Sequence, residues 1–183
     1  MARIVLGLVC VALVVMGCEE QRNPVSSEAI TGPIQVIDGD TVEIGATRIR
    51  LFGIDAVEHD QTCRTDDGAV WACGDWVTQQ TRAQFQGRHG SCAPTGDVTY
   101  GRVVARCFVD GADMQRALVD QGMAFAYRRY SRDYVGDEQA AAAQKRGIWA
   151  GPVQKPEDFR AASTAPRCQI KGNVSASGNI YHL

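Results

Sequence analysis

The chain has 183 residues, 45% of them hydrophobic, and its formal net charge at pH 7 is -2. This length supports one domain with a real hydrophobic core and short appendages, but not two domains of ordinary size. The slightly acidic balance argues against a protein that coats nucleic acid nonspecifically with high affinity, because such binding relies on many lysine and arginine contacts to phosphates. The local distribution of the charges matters more than their sum.

The first residues are typical of an export signal. Arg3 precedes an apolar run over residues 4–16, which is short for a membrane-spanning helix. The run ends in a motif similar to a bacterial lipobox, so residues 1–17 are predicted to be a lipoprotein signal peptide and Cys18 to be lipidated. Several acyl chains at Cys18 would hold the protein on a membrane of the bacterial cell envelope, with residues 18–32 as a flexible tether. Soluble secretion and an uncleaved anchor are the alternatives.

Three short strands are predicted between residues 34 and 52. Residues 34–37 alternate weakly and end at the turn dipeptide Asp38-Gly39, after which residues 41–44 resume with β-branched side chains. A second turn leads into residues 47–52, where isoleucine and leucine alternate with two arginines. One face of this strand is therefore predicted to be core and the other cationic. Three successive strands indicate the beginning of a small barrel.

Helices and one further strand are predicted after residue 75. The helices cover residues 76–85, 114–121 and 134–146, each followed closely by a glycine, and a β-branched strand covers residues 103–109. Strands first, with helices between and after them, indicate the α+β class. We predict a five-stranded OB-type barrel with about three helices over residues 33–151. Residues 152–183 are predicted to be a C-terminal extension that loses its helix signal at Pro156 and Pro166 and has no catalytic role.

The cysteines agree with export into an oxidising compartment. Five follow Cys18 in the sequence, namely Cys63, Cys73, Cys92, Cys107 and Cys168. Cys63 and Cys73 flank a glycine-containing loop, and Cys92 and Cys107 lie on predicted strands on either side of a turn, so these two pairs are predicted to be disulfides. The alternative for the first pair is a zinc site with His59, which lacks the paired C-x-x-C spacing of such sites. Cys168 has no assigned partner.

A set of carboxylates and arginines lies in two segments of the chain. Its members are Asp40, Arg50, Asp55 and Glu58, followed by Arg102 in the sequence Tyr100-Gly101-Arg102. A hard cation such as calcium needs oxygen ligands, and the charge that develops on a phosphate during displacement needs fixed donors that match its oxygens. Each residue alone would be an ordinary turn or surface residue. Together they suit metal-assisted attack on a phosphodiester.

At these residues the chain resembles the staphylococcal nuclease (thermonuclease) family, whose aspartates, arginine and glutamate occur in this order and spacing. The resemblance extends over residues 34–149. It implies that calcium is bound by Asp40, Asp55 and the backbone carbonyl of Ala56. Ala56 replaces the family's usual threonine, which removes a supporting hydroxyl but not the carbonyl ligand. Val57 replaces a proline, so a looser loop is expected before Glu58.

The same resemblance assigns the catalytic and substrate-binding residues. Glu58 is implied as the general base or as the group that positions the attacking water. Arg50 and Arg102 are implied to bind the phosphate and to stabilise its charge in the transition state. Tyr127 and Arg128 resemble the family's tyrosine-containing segment that supports the substrate base and phosphate, although the register differs by one residue and ordinary packing is the alternative. The tail resembles a hairpin-like extension of some family members.

The resulting prediction is an exported, monomeric, calcium-dependent phosphodiesterase. The resemblance implies an endonuclease that cleaves DNA and RNA with little sequence preference and leaves 3′-phosphate ends. One alternative is a nuclease-like barrel that binds nucleic acid or an envelope partner without catalysis, and another is a structural lipoprotein that binds no metal. A non-catalytic domain would have no reason to retain all five charged residues together.

Overall fold

A computed structural model describes residues 28–164 and, for the backbone alone, residues 171–175 and 178–182. The predicted signal peptide over residues 1–17, the lipidated Cys18, most of the tether and Cys168 lie outside the described residues. Within the described ranges, no helix has both the length and the apolar character needed to cross a membrane.

Five strands close a barrel, as predicted, and the fold is of the OB-type α+β class. The barrel strands are β1 (Ile30–Val36), β2 (Thr41–Ile44), β3 (Thr47–Leu51), β7 (His89–Thr99) and β8 (Arg102–Val109). Two short pairs lie outside the barrel sheet: β4 (Ile54–Ala56) with β10 (Ala124–Ala126), and β5 (Cys63–Arg64) with β6 (Val70–Trp71). A further short strand, β9 (Ala112–Asp113), pairs with the edge of β8. The sheet order is β3-β2-β1-β7-β8, and β3 also pairs with β8 in parallel, which closes the barrel.

The alternation of apolar and polar residues explains which face of each strand is buried. Ile34 and Val36 of β1 point into the core, and so do Ile49 and Leu51 of β3, while Arg48 of β3 is exposed. Side chains in a strand alternate between its two faces, so the arginines of β3 lie on the face opposite the core. This agrees with the predicted division of β3 into a core face and a cationic face.

Both predicted disulfides are present. Cys63 bonds to Cys73, and Cys92 bonds to Cys107, its direct cross-strand neighbour on β7 and β8. The zinc alternative for Cys63 and Cys73 is therefore excluded, since both sulfurs are bonded to each other. Closing loops of this size stabilises the fold by about 3 kcal/mol each in the chain-entropy model.

Four α-helices lie in the described part of the chain: α1 (Cys73–Phe85), α2 (Met114–Asp120), α3 (Val135–Ala143) and α4 (Pro156–Thr164). The first three correspond to the predicted helices, and a 3-10 helix over Gly147–Ala150 follows α3. Asp113 caps α2 by accepting a hydrogen bond of 2.9 Å from the backbone N–H of Arg116. This satisfies one of the free N–H groups at the start of the helix.

The fourth helix corrects the sequence prediction for the tail. Pro156 was expected to interrupt helical structure, but it is the first residue of α4. Proline suits this position because the first residues of a helix have no intrahelical partner for their N–H groups. Glu157 and Asp158 follow it in the first turn, where negative charge is favourable. Beyond α4, β11 (Lys171–Ser175) and β12 (Gly178–His182) form an antiparallel hairpin.

Candidate active site

The turn between β1 and β2 brings Asp40 against the short strand β4. Gly39 makes this approach possible, because a Cβ there would lie 2.6 Å from the Cβ of Ala56 and 2.7 Å from a methyl group of Val77. Thr41 is the cross-strand partner of Arg50, so Asp40 and Arg50 lie side by side at one end of the barrel. The turn, β3 and β4 thus place one predicted site residue each at the same end.

Arg50 joins the two predicted calcium-binding aspartates. Its guanidinium forms an ion pair with Asp40 through Nη1 and one of 2.8 Å with Oδ1 of Asp55 through Nη2. Asp40 also accepts a hydrogen bond of 2.9 Å from the backbone N–H of Ala56 and one of 3.1 Å from the hydroxyl of Thr41. Asp55 is only 2% exposed. The two carboxylates are therefore buried, close together and fixed by hydrogen bonds.

Burial and the short distances between the charged groups shift the pKa values of this cluster. Burial raises the pKa of Asp55, and the hydrogen bonds and charges of its arginine partners only partly offset this. Burial also raises the pKa of Asp38, and the negative charge of Asp40 adds to the effect. Burial lowers the pKa of Arg50, but the charges of Asp40 and Asp55 outweigh burial and the pKa is raised. Additional positive charge would stabilise the ionised acids.

Glu58 lies on the loop after β4 and is held near Asp55 by contacts of the loop backbone. Its N–H donates to the side-chain oxygen of Gln61 at 3.2 Å, and its carbonyl accepts from the N–H of Gln61 at 2.9 Å. A Cβ on Gly74 would lie 1.8 Å from the carbonyl oxygen of Glu58, so helix α1 presses directly on this loop. The Cys63–Cys73 disulfide joins the loop to the first residue of α1.

Arg160 of helix α4 reaches the same two acids and was not predicted. Its Nη1 lies 2.5 Å from Oε1 of Glu58 and 3.3 Å from Oδ1 of Asp55, and its Nη2 lies 3.0 Å from Oδ2 of Asp55. The proline followed by two acids at the start of α4 was the available sequence signal. It would have predicted the helix, but not the contact across about 100 residues of chain.

Arg102 completes the cluster from the start of β8. Its Nη1 donates to the hydroxyl of Thr41 at 3.2 Å, so it lies next to Asp40. The preceding turn has Tyr100 and Gly101 at φ of 48° and 73°. Glycine adopts this left-handed conformation without strain, in agreement with the predicted tight turn before Arg102.

All of these charged residues line one cleft of about 900 Å³. The aromatic residues Tyr100, Tyr127 and Tyr130 also line it, and Tyr100 is 95% exposed. The rings of Tyr127 and Tyr130 have their centroids 5.1 Å apart. The cleft therefore combines a charged floor with exposed aromatic surface.

The structure places Arg128 outside this cleft. Its guanidinium pairs with the buried Glu138 of α3, and Arg129 lines the cleft instead. Both arginines line a smaller pocket that shares Asp55 and Tyr127 with the cleft. The role of Arg128 in substrate binding stays a prediction.

The donor chemistry of the cluster fits calcium. Asp40 and Asp55 offer carboxylate oxygens, the ligand type that a hard cation takes, and the backbone N–H of Ala56 donates to Asp40, which places Ala56 beside them. Within residues 28–164, however, no three His, Cys, Asp or Glu side chains are arranged to hold a metal ion. The guanidiniums of Arg50 and Arg160 lie between the acids and supply the positive charge.

Comparisons with known proteins agree with this arrangement. Residues 48–151 match the family model described as staphylococcal nuclease homologue. The chain is 35% identical to succinoglycan biosynthesis protein ExoI of Rhizobium meliloti (strain 1021) over 68% of this chain and 66% of that protein, slightly less than two thirds of its length. It is 32% identical to an uncharacterized endonuclease of Escherichia coli over 66% of this chain and 78% of that protein. An uncharacterized endonuclease of Haemophilus influenzae is 25% identical over 84% of this chain and 82% of that protein.

Proposed function

Because the chain belongs to the staphylococcal nuclease family, we propose that it is a calcium-dependent nuclease that hydrolyses phosphodiester bonds in DNA and RNA. The observation that carries this proposal is the convergence of Asp40, Arg50, Asp55, Glu58 and Arg102 on one cleft. The relatives named as endonucleases support a nuclease as well.

The residues of the cleft divide into three roles. Asp40, Asp55 and the carbonyl of Ala56 would hold calcium, which supplies positive charge to a phosphate oxygen when bound. Arg50 and Arg102 bind the other phosphate oxygens, since a guanidinium matches a phosphate with two parallel hydrogen bonds. Glu58 positions the attacking water and takes its proton. Water attacks the phosphorus and the 5′ oxygen departs, which leaves a 3′-phosphate end.

Single strands and frayed duplexes are the substrates that suit the cleft best. Tyr100 and Tyr130 present exposed ring surface beside the charged floor, and the half-buried Tyr127 lies next to Tyr130. Stacking of an unpaired base on such a ring contributes about 1 to 3 kcal/mol and does not depend strongly on the base. We therefore expect an endonuclease with little sequence preference.

We also propose that the nuclease acts outside the cytoplasm as a monomer anchored through Cys18. The two disulfides support an oxidising compartment. Labelling with a radioactive fatty acid tests the anchor, since incorporation into the protein should be lost in Cys18→Ala. Equal labelling of both proteins, or of neither, would refute lipidation at this residue.

The decisive test is cleavage of single-stranded DNA by the purified protein with calcium and with a chelator. Glu58→Gln should lower the cleavage rate by at least about 100-fold, the usual contribution of a general base. Glu43→Gln is the matched control, because Glu43 pairs with Arg48 on the barrel surface and does not line the cleft. The control should cleave like the unchanged protein.

Two results would count against the proposal. A folded Glu58→Gln protein that cleaves at the unchanged rate would remove Glu58 from the mechanism. DNA binding in calcium without any cleavage by the unchanged protein would indicate a barrel that binds nucleic acid without catalysis.

A further inference from the structure

Helix α4 places a guanidinium on the two acids that the proposed reaction needs free. Arg160 contacts both oxygens of Asp55, at 3.0 and 3.3 Å, and Oε1 of Glu58 at 2.5 Å. Asp55 is a proposed calcium ligand and Glu58 is the proposed base. One side chain from the C-terminal extension therefore engages the metal-binding and the proton-accepting parts of the site together.

The charges of the cleft explain the position of Arg160. When ionised, Asp40, Asp55 and Glu58 supply three negative charges, of which Arg50 neutralises one. Arg160 neutralises a second and leaves a single net negative charge. Burial makes unneutralised carboxylates costly, so a mobile internal cation is favoured in the absence of an external one.

Calcium would be a third cation on Asp55, which already pairs with Arg50 and Arg160; of these two, Arg160 has the more exposed side chain and is the one that can leave. Two cations on the same buried carboxylate repel each other in a poorly solvated site. Oδ1 of Asp55 already accepts from Arg50 and Arg160, and Oδ2 accepts from Arg160. When calcium binds together with an anionic phosphodiester, the added charge of the pair is one positive unit, the same as the charge of Arg160. Metal and substrate can therefore replace Arg160 without changing the charge balance.

Helix α4 is attached loosely enough for such a replacement. Pro156 is its one buried residue, and the side chain of Arg160 is 43% exposed. The chain just before the helix is held more firmly, because the side-chain amide of the buried Gln61 donates to the carbonyl of Gln154 at 2.7 Å. The helix can thus withdraw from the cleft about its first residues without disturbing the core.

We propose that Arg160 competes with calcium for Asp55 and thereby sets the calcium affinity of the site. This inference rests on the proposed calcium-dependent function. Arg160 acts as an internal competitor for calcium, and the C-terminal extension is a regulatory part of the site. Metal binding releases the helix, and by reciprocity any ligand that holds the helix in place weakens metal binding by the same factor.

Calcium titration calorimetry without nucleic acid tests the competition directly on the purified protein. Arg160→Gln should bind calcium more tightly, by a factor within the range of about 5 to 150 that is typical of coupled sites. Arg160→Lys keeps the positive charge but loses the bidentate contact, so its calcium affinity should lie between those of Arg160→Gln and the unchanged protein. Arg88→Gln is the charge-matched control, because Arg88 pairs with Asp110 on the surface and does not line the cleft.

A second measurement follows the helix itself. Calcium should increase amide hydrogen exchange over residues 156–164 in the unchanged protein, and Asp40→Asn should abolish this response. A merely structural role of Arg160 would give no calcium-dependent change in this helix.

The failure of this inference can be told apart from the failure of the proposed function. If Arg160→Gln and the unchanged protein bind calcium equally while Asp40→Asn does not bind, Arg160 is not a competitor and the calcium site stands. If none of these proteins binds calcium, the calcium dependence is wrong and the competition is refuted with it. Weaker calcium binding in Arg160→Gln would also overturn the inference, since Arg160 would then support the metal.

Discussion

Arg50 bridges Asp40 and Asp55, whose carboxylates would otherwise face each other with little solvent between them. Its own side chain is 14% exposed, whereas that of its strand neighbour Arg48 is 55% exposed. A charge left without its partner in such a place costs far more than a surface charge. Arg50 is therefore expected to stabilise the fold as well as to bind phosphate.

Replacing Arg50 tests this double role. Arg50→Ala should lower the free energy of unfolding by about 3 kcal/mol, because the buried Asp40 loses its ion-pair partner, whereas Asp55 keeps Arg160. Urea denaturation in a chelator measures the loss, and Arg48→Ala should change stability by less than about 0.5 kcal/mol. Calcium should restore part of the loss in Arg50→Ala, since a cation again lies between the acids. Equal stabilities of the two variants in the chelator would contradict the structural role.

The residues that sequence analysis located are those set by local rules. Asp40 follows a turn, Arg50 lies on the polar face of an alternating strand, and Asp55 follows that strand directly. Asp40 and Arg50 converge because β2 and β3 are adjacent strands, and Asp55 follows four residues after the end of β3. Arg160 could not be found in this way, because its partners are more than 100 residues distant and the contact depends on how α4 packs on the finished barrel.

At the scale of elements, two polar contacts join α2 and α3 near their first turns: the ion pair of Arg116 with Asp137, and a hydrogen bond between Tyr134 and Asp113. The hydroxyl of the fully buried Tyr134 donates to Oδ2 of Asp113 at 3.0 Å, and Oδ1 of Asp113 caps α2. Burial raises the pKa of Tyr134, and the negative charge of Asp113 adds to the effect. The contact therefore requires the protonated phenol.

This contact predicts a loss of stability at alkaline pH. The pKa of Tyr134 in the folded protein lies above the value of about 10 for an unfolded chain. Its contribution is fully present below pH 10 and is lost as the pH rises towards the folded value. The free energy of unfolding should therefore fall above pH 10, and Tyr134→Phe should reduce the slope. The exposed Tyr130→Phe is the control, and an unchanged slope in Tyr134→Phe would contradict the assignment.

The helices show where reasoning from sequence succeeds and where it fails at this scale. Helices α1, α2 and α3 each end near a glycine and were located within a few residues. Pro156 was interpreted as a helix breaker, although the same residue is favoured at the first helical position. The residues after a proline indicate whether it interrupts a helix or begins one. The two acids that follow Pro156 favour a helix that begins there.

At the scale of the whole molecule, the two disulfides have different consequences. Cys92–Cys107 joins neighbouring strands within the barrel, whereas Cys63–Cys73 joins the loop after Glu58 to helix α1. The first bond fixes the sheet. The second fixes the position of one proposed catalytic side chain relative to the barrel.

Replacing each pair by alanine separates these effects. The Cys92→Ala, Cys107→Ala protein should lose about 3 kcal/mol of stability and retain its rate of DNA cleavage while folded. The Cys63→Ala, Cys73→Ala protein should lose cleavage under conditions in which circular dichroism still reports a folded barrel. If the second protein cleaves normally while folded, the disulfide does not position Glu58.

Barrel closure could be predicted only in part. Alternation in β1 to β3 indicates a curved sheet, and it predicts which face is buried. The parallel pairing of β3 with β8 joins segments about 50 residues apart, and nothing local in either strand specifies it. The order of strands and helices predicted a five-stranded barrel, but not this pairing.

This closing pair has a consequence for when the protein can act. Arg50 lies on β3 and Arg102 begins β8, so the two guanidiniums come together only when the last edge of the barrel is joined. An unfolded polypeptide has these side chains far apart and is not expected to cleave nucleic acid. The proposed exported nuclease would thus become active only when it folds after export, and no separate inhibitor would be needed before that.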